Sequence, residues 1–202
     1  YAESLREVRT VSDTMLRQVN SMLTLDRIDS GILSTAFHPI SLNSCLDNAI
    51  ALIRPLAKER DIKIRREEDD EMIVLGDKDA LTEAVSNLLE NAVFYNHPEG
   101  SVTVTLQCRD NRAMLTVRDT GIGIPEDELE QIFHKFYRSE AVKTIKGTGL
   151  GLSITKAVVA GHHGEIEVRS AESGGACFTI TLPLYDTTQE GDSVVEQGVS
   201  AG

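Results

Sequence analysis

Residues 78 to 95 constrain the fold most. Leu81, Ala84, Val85, Leu88, Leu89, Ala92 and Val93 recur there at steps of three and one, which at helical period makes one continuous apolar face. Asp77 stands just before this run, where a side-chain oxygen can cap the first free amides. Such a face needs an apolar layer to cover it, and the later sequence supplies strands. Val102 to Leu106 and Met114 to Val117 alternate at period two across Asp110-Asn111, which predicts a hairpin, and Ile166 to Ser170 and Cys177 to Pro183 predict a second around Ser173-Gly174-Gly175. Upstream, strands are expected near Ile62 to Arg66 and Met72 to Leu75. A helix capped by Ser41 or Asn43 carries Leu46, Ile50, Ile53 and Ala57 to about Arg60, with a bend expected at Pro55. Ala36 to Ile40 should be extended, because the residue before Pro39 avoids helical geometry. Helices packed on one sheet make the fold class α+β, a two-layer α/β sandwich.

A long helix precedes this sandwich. Leu5, Val8, Val11, Met15, Val19, Met22 and Leu23 form a helical stripe over residues 3 to 29, with Gly31 as a stop. The stripe needs a partner, and a four-helix bundle with another copy is the usual way to bury it. At the other end, residues 186 to 202 hold no Lys, Arg or aromatic residue, and the tail over 185–202 is expected to be disordered.

Charge and composition narrow the function. The chain has 202 residues, with 20 Lys and Arg against 32 Asp and Glu for a net charge of −12, which disfavours general nucleic-acid binding. Cys45, Cys108 and Cys177 are widely spaced and form no Cys-x-x-Cys pair, as expected for a protein of a reducing, cytoplasmic compartment. No apolar run of ~18 residues is present, so no membrane contact is expected of this stretch, although a longer parent could be anchored.

Against that acidic background stand two glycine-centred turns, Asp119-Thr120-Gly121-Ile122-Gly123 and Gly147-Thr148-Gly149-Leu150-Gly151. Glycine lets the backbone take positive φ and lie close to a ligand, with amides aimed at phosphate oxygens. The second turn leads into an apolar helix over Leu150 to Val159, whose amino end favours an anion. Lys135, Arg138, Lys143 and Lys146 lie between the turns with only Glu140 opposing them. They could attract a polyphosphate, or simply form a solvated loop. On the capped helix, Glu83, Asn87, Asn91 and Tyr95 follow at four-residue spacing, about 100° from the centre of the apolar face. An Asn oxygen is a suitable ligand for Mg²⁺, although a wet helix edge would look the same.

Four stretches in order carry a specific resemblance: Asn87-Leu88-Leu89-Glu90-Asn91-Ala92, Asp119 to Gly123, Ile132-Phe133-His134-Lys135-Phe136-Tyr137-Arg138, and Gly147 to Leu152. They resemble the N, G1, F and G2 boxes of sensor histidine kinases of two-component systems. By that resemblance, residues 36 to 184 are similar to the catalytic ATP-binding domain of GHKL ATPase fold. Residues 1 to 31, ending in Leu25-Asp26-Arg27-Ile28-Asp29-Ser30-Gly31, are similar to the second helix of the dimerisation and phosphotransfer domain. The resemblance implies ATP and Mg²⁺ as ligands. It implies Asn91 as metal ligand, Asn87 beside the phosphates, Tyr95 at the adenine side and Asp119 as acceptor for the adenine amino group. Arg138 would reach the terminal phosphate, assisted by Lys135. Gly121 and Gly123 of the first turn, and Lys146, Gly147, Thr148, Gly149, Leu150 and Gly151 of the second, would border the nucleotide, with residues 139 to 148 as a lid.

Two features depart from the family pattern. Phe94 stands where Lys or Arg is common, with Lys135, Lys143 or Lys146 as substitutes, and the lid has only eight residues between Arg138 and Gly147. The resemblance also implies a phosphoacceptor histidine followed by an acidic residue, on a helix expected upstream of Tyr1, and a response-regulator receiver domain as partner. His38, His97, His134, His162 and His163 do not match that acceptor pattern, and structural or solvated roles are expected for them. Two other readings stay open: an interaction module with weakened catalysis, and a hydrolytic GHKL ATPase, in which the position of Asn87 would normally be Glu.

Overall fold

The computed structural model describes residues 19, 22–24, 26, 37–68, 70–139, 142, 147–170 and 174–185. Most of the expected first helix and the whole of the tail over 186–202 lie outside the described residues, as do Glu140, Lys143 and Lys146. The elements run β1 (His38–Ser41), α1 (Leu42–Glu59), β2 (Lys63–Glu68), β3 (Ile73–Gly76), α2 (Lys78–Phe94), β4 (Ser101–Arg109), β5 (Arg112–Asp119), α3 (Gly151–Gly161), β6 (Glu165–Ser170) and β7 (Ala176–Pro183). Two short 3₁₀ turns, Glu126–Glu128 and Gln131–Phe133, fill the stretch before α3.

Local chemistry sets these boundaries. The Ser41 hydroxyl accepts from the Ser44 amide and starts α1, which stays helical through Pro55. Asp77 starts α2 by accepting from the amides of Asp79 and Ala80, both at 3.0 Å. Asp110 and Asn111 take φ of 50° and 58°, the paired left-handed geometry of a two-residue hairpin turn.

The main sheet has the order β2-β4-β5-β7-β6, with β2 parallel to β4 and each other neighbour antiparallel. β1 and β3 do not join it. They pair with one another as a separate antiparallel ribbon, so the expected single sheet is in fact five strands plus two. A lone bridge between Val74 and Leu184 ties the ribbon to the end of β7. The period-two strands place Val102, Val104, Leu106, Leu115, Val117, Ile180 and Leu182 on one face, all nearly free of solvent contact. On that face lie α1, α2 and α3, with α2 in the middle. Leu81, Ala84, Val85, Leu88, Leu89, Ala92 and Val93 are all buried, as the sequence pattern requires. The opposite sheet face is open and carries polar residues, among them the threonine pair Thr116 and Thr179 at 3.3 Å.

His162 locks the helices at one end. It is 2% exposed, directly after α3. Its Nδ1–H donates to the Val158 carbonyl at 2.7 Å, a tautomer assigned from the acceptor it faces, and its Nε2 accepts from the Asp77 amide at 3.0 Å. The ring stacks on Phe37 at 4.4 Å, and Gly76 lies so near that a Cβ there would come within 2.5 Å of it. Burial pushes the pKa of this imidazole down from its ordinary value, the Val158 carbonyl and Asp77 partly opposing. The unfolded chain therefore binds a proton there more readily, and the stability this group contributes is present above about pH 6.5 and lost as pH falls towards the folded pKa. We expect chemical denaturation at about pH 7.5 and about pH 5.5 to show the acid sample less stable, and His162→Gln to flatten that difference. An equal pH dependence in the variant would rule His162 out as its source.

Candidate functional site

The polar stripe of α2 faces the two glycine turns. Asn87 meets the start of α3, its Nδ2 donating to the Gly151 carbonyl at 3.3 Å. Thr155 holds the same pair of helices together from within the core, its hydroxyl reaching the carbonyls of Ala84 at 3.3 Å and Gly151 at 3.0 Å. Asn91 is half-buried, and its side-chain amide has no hydrogen-bond partner among the described residues. Tyr95 ends α2. Its carbonyl accepts from the Ile122 amide at 3.1 Å, binding the helix to the first glycine turn, and its hydroxyl lies close to Gly147 of the second. Burial pushes the Tyr95 phenol up, and the nearby Arg138 opposes that shift.

Asp119 closes β5 and is 7% exposed. Both backbone donors that reach it, Gly121 at 2.8 Å and Ala176 at 3.1 Å, go to Oδ1, so among the described residues Oδ2 is left without a donor. Burial pushes the carboxyl up from the ordinary range, and those two amides hold it back. An oriented buried carboxylate with one oxygen uncommitted can accept from a polar ligand edge. Gly121 fits only as glycine, because a Cβ would lie 2.1 Å from the Tyr95 carbonyl. Gly175, from the β6–β7 hairpin, has φ of 88° and would likewise put a Cβ 2.1 Å from the Asp119 carbonyl. Gly123 has φ of 73°.

In the second turn, the Leu150 amide donates to the Thr148 hydroxyl at 3.2 Å, and Gly149 takes φ of 70° with its carbonyl accepting from the Phe136 amide at 2.9 Å. Phe136 itself has φ of 66° and is exposed. That contact joins the stretch containing Lys135 to the turn. Arg138 donates to the Val142 carbonyl at 2.9 Å. Lys135 is exposed, whereas Lys146 and most of the expected lid are outside the described residues. Asn87 thus meets Gly151, and Tyr95 meets Gly121, Gly147 and Arg138, with Asp119 joined to Gly121 and Asn91 one turn of α2 from both Asn87 and Tyr95. At Phe94, the Arg60 guanidinium lies over the ring at 4.8 Å and donates to its carbonyl at 3.1 Å.

Sequence reasoning missed several positioning groups. Thr155, Gly175 and the Ala176 amide act from elements read only as helix and hairpin. So does a bond network in which the Thr120 hydroxyl donates to Asn96 Oδ1 and accepts from the Ser101 amide. The adjacent Gly174-Gly175 pair was the one available signal. No cluster of three or more His, Cys, Asp or Glu suited to a metal occurs among the described residues, so Asn91 would hold a cation only together with oxygens of a ligand and water.

Substitutions separate the crowded glycines from the open one. Gly175→Ala should lose about 1–3 kcal/mol of stability through backbone strain and overlap, while Gly147→Ala, whose Cβ would meet no atom of the described residues closer than the Tyr95 hydroxyl at 3.9 Å, should stay within about 0.5 kcal/mol. Urea denaturation of both variants checks this, and equal losses would refute the local geometry.

Comparison with known proteins identifies the family. Residues 76–186 match the family model of histidine kinase-, DNA gyrase B- and HSP90-like ATPases. The chain is 31% identical over 184 residues to the signal transduction histidine-protein kinase BaeS of Escherichia coli, covering 90% of this chain and 39% of that protein. It is 34% identical over 186 residues to the sensor histidine kinase WalK of Bacillus subtilis, covering 90% and 30%. The chain thus spans about two fifths or less of such relatives. Among solved structures, the mycobacterial sensor histidine kinase MprB superposes with a TM-score of 0.64 at 32% identity, over 73% of this chain and 97% of that one. Full-length ShkA in complex with AMPPNP gives 0.75 at 28%, over 87% and 37%. No helix among the described residues is long and apolar enough to cross a membrane. The chain is homologous to sensor histidine kinases and belongs to the histidine kinase-, DNA gyrase B- and HSP90-like ATPase family.

Proposed function

We propose that this chain is the ATP-binding catalytic part of a sensor histidine kinase, with residues 36 to 184 as the catalytic domain and residues 1 to 31 as the second helix of a dimerisation and phosphotransfer domain. The observation that carries this reading is a pair of polar groups left without a partner among the described residues, the Asn91 amide on α2 and Asp119 Oδ2 at the end of β5. Asp119 accepts from the adenine amino group, and Tyr95 contacts the adenine side. Asn87 lies beside the phosphates, the backbone of Gly147 to Gly151 faces them at the amino end of α3, and Gly121 and Gly123 let the first turn approach. Arg138 and Lys135 supply positive charge to the terminal phosphate, with Lys146 in the lid. Arg60 adds a guanidinium beside Phe94, where the family commonly has Lys or Arg. A magnesium ion, held by the Asn91 oxygen and phosphate oxygens, would neutralise charge that builds up in the transition state.

In the reaction an imidazole nitrogen of an acceptor helix forms a bond to the γ-phosphorus. The bond to the β,γ-bridging oxygen breaks, ADP leaves with that electron pair, and the imidazole gives up its proton. The phosphoryl group then passes to an aspartate of a response-regulator receiver domain. ThkA, a fold relative of this chain, has been solved in complex with the response regulator TrrA. Val19, Met22 and Leu23 are exposed and Thr24 donates to Glu83 of α2 at 2.9 Å, which suits a helix that packs in a homodimer while touching the catalytic helix. ATP supply places the reaction in the cytoplasm. Hydrolysis is disfavoured because Asn87, unlike Glu, cannot act as a base towards water.

Calorimetry with AMPPNP tests the site. Asn91→Ala should remove the magnesium-dependent part of the affinity, and Asp119→Ala should weaken adenine nucleotide binding by about tenfold or more, ~1.4 kcal/mol. Unchanged affinity in both variants would reject the assignment. Transfer of radiolabel from ATP to an added acceptor-helix protein distinguishes a kinase from a silent binder.

A further inference from the structure

The edge of the main sheet has a character unlike the rest of the molecule. Residues 54 to 66 carry six Lys and Arg against Glu59 and Asp61, a net charge of +4 in a chain of −12. They form the end of α1 and most of β2, and among the described residues β2 pairs only with β4, so its outer backbone groups have no described strand beside them. Between α1 and β2 runs a groove of about 580 Å³ floored by Ile50, Ala57, Ile62 and Ile64. Arg54 and Lys58, one helical turn apart, border it. Arg66 is committed, paired with Asp47 and Glu68. Arg54, Lys58, Lys63 and Arg65, by contrast, make no ion pair or hydrogen bond among the described residues.

We propose that this edge takes an extended acidic segment of a partner protein as an additional strand beside β2. The alternation of β2 defines what fits. Ile64 shares the helix-side face with Val102, while Lys63 and Arg65 lie on the open face with Ser101 and Thr103. A strand added at the edge continues that pleat. Its acidic side chains fall next to Lys63 and Arg65, and its apolar side chains enter the groove under Arg54 and Lys58. The other edge of the sheet, Glu165-Ile166-Glu167-Val168 in β6, is itself an example of that acid–apolar pattern. Free backbone donors and acceptors favour a polypeptide over a nucleic acid or a lipid surface, which could use only the charges. Two basic edges repel each other, which disfavours pairing of β2 with β2 of a second copy.

The test follows backbone amide NMR shifts of the isotope-labelled chain on titration with a blocked peptide of alternating Glu and Val. Shifts confined to residues 47–58 and 62–68 support the proposal. So does weakening by about tenfold in Arg54→Glu/Lys58→Glu and in Lys63→Glu/Arg65→Glu, with AMPPNP heats unchanged as the check on folding. A Lys-Val peptide and a backbone N-methylated Glu-Val peptide should both fail to bind. The proposal is overturned if the Glu-Val peptide causes no such shifts at about millimolar concentration, or if the N-methylated peptide binds equally well. Stronger competition by an oligothymidine or by phosphatidylglycerol vesicles also overturns it, as does self-association that Glu165→Lys/Glu167→Lys abolishes. The first result would leave the charges as a guard against edge pairing, and the last would make the surface a contact between copies.

Discussion

The placement of α2 is the constraint on which the site depends. Its apolar face is buried against the sheet, so its rotation is fixed by burial alone, at about 1.5–3 kcal/mol for each fully buried large side chain. Both ends are then anchored by specific bonds. Asp77 caps the start and gives its own amide to His162, while the Tyr95 carbonyl at the other end takes the Ile122 amide. Laterally, Thr155 and Asn87 join the helix to the first turn of α3. The fixed rotation leaves Asn87, Asn91 and Tyr95 on the border between core and water. A polar group can face a ligand from that border and still be held by the packing behind it.

The glycines of the turns work as spacers. Gly121 and Gly175 sit where a methyl group would overlap a backbone carbonyl of Tyr95 or Asp119. Their absent side chains therefore bring the end of α2, the end of β5 and the last hairpin together around one carboxylate. Asp119 is oriented by two amides that come from segments far apart in sequence. Such an arrangement holds the acceptor in one orientation before any donor reaches it.

Much of this was legible residue by residue. The apolar spacing over 81–93 and the Asp77 cap gave α2 to within one residue, and the paired Asp110-Asn111 turn gave the β4–β5 hairpin. Of the boxed and neighbouring residues, Asn87 and Tyr95 are the ones the fold brings against the glycine turns. Other contacts had no local signal. Nothing near His162 in sequence indicates that its ring serves as acceptor for the Asp77 amide, 85 residues away, and nothing in Thr155 indicates that its hydroxyl spans two helices.

The sequence by itself determined which segments are helices and strands and which face of each is apolar, because periodicity, capping and turn chemistry act over a few neighbours. Tertiary structure alone decided that β1 and β3 leave the main sheet to form their own ribbon, and that β2 lies parallel to β4 at a basic edge. It also decided that two amides 55 residues apart, Gly121 and Ala176, converge on Asp119 Oδ1. Those outcomes depend on contacts between residues tens of positions apart, whose free energy exists only once the chain has closed around its core.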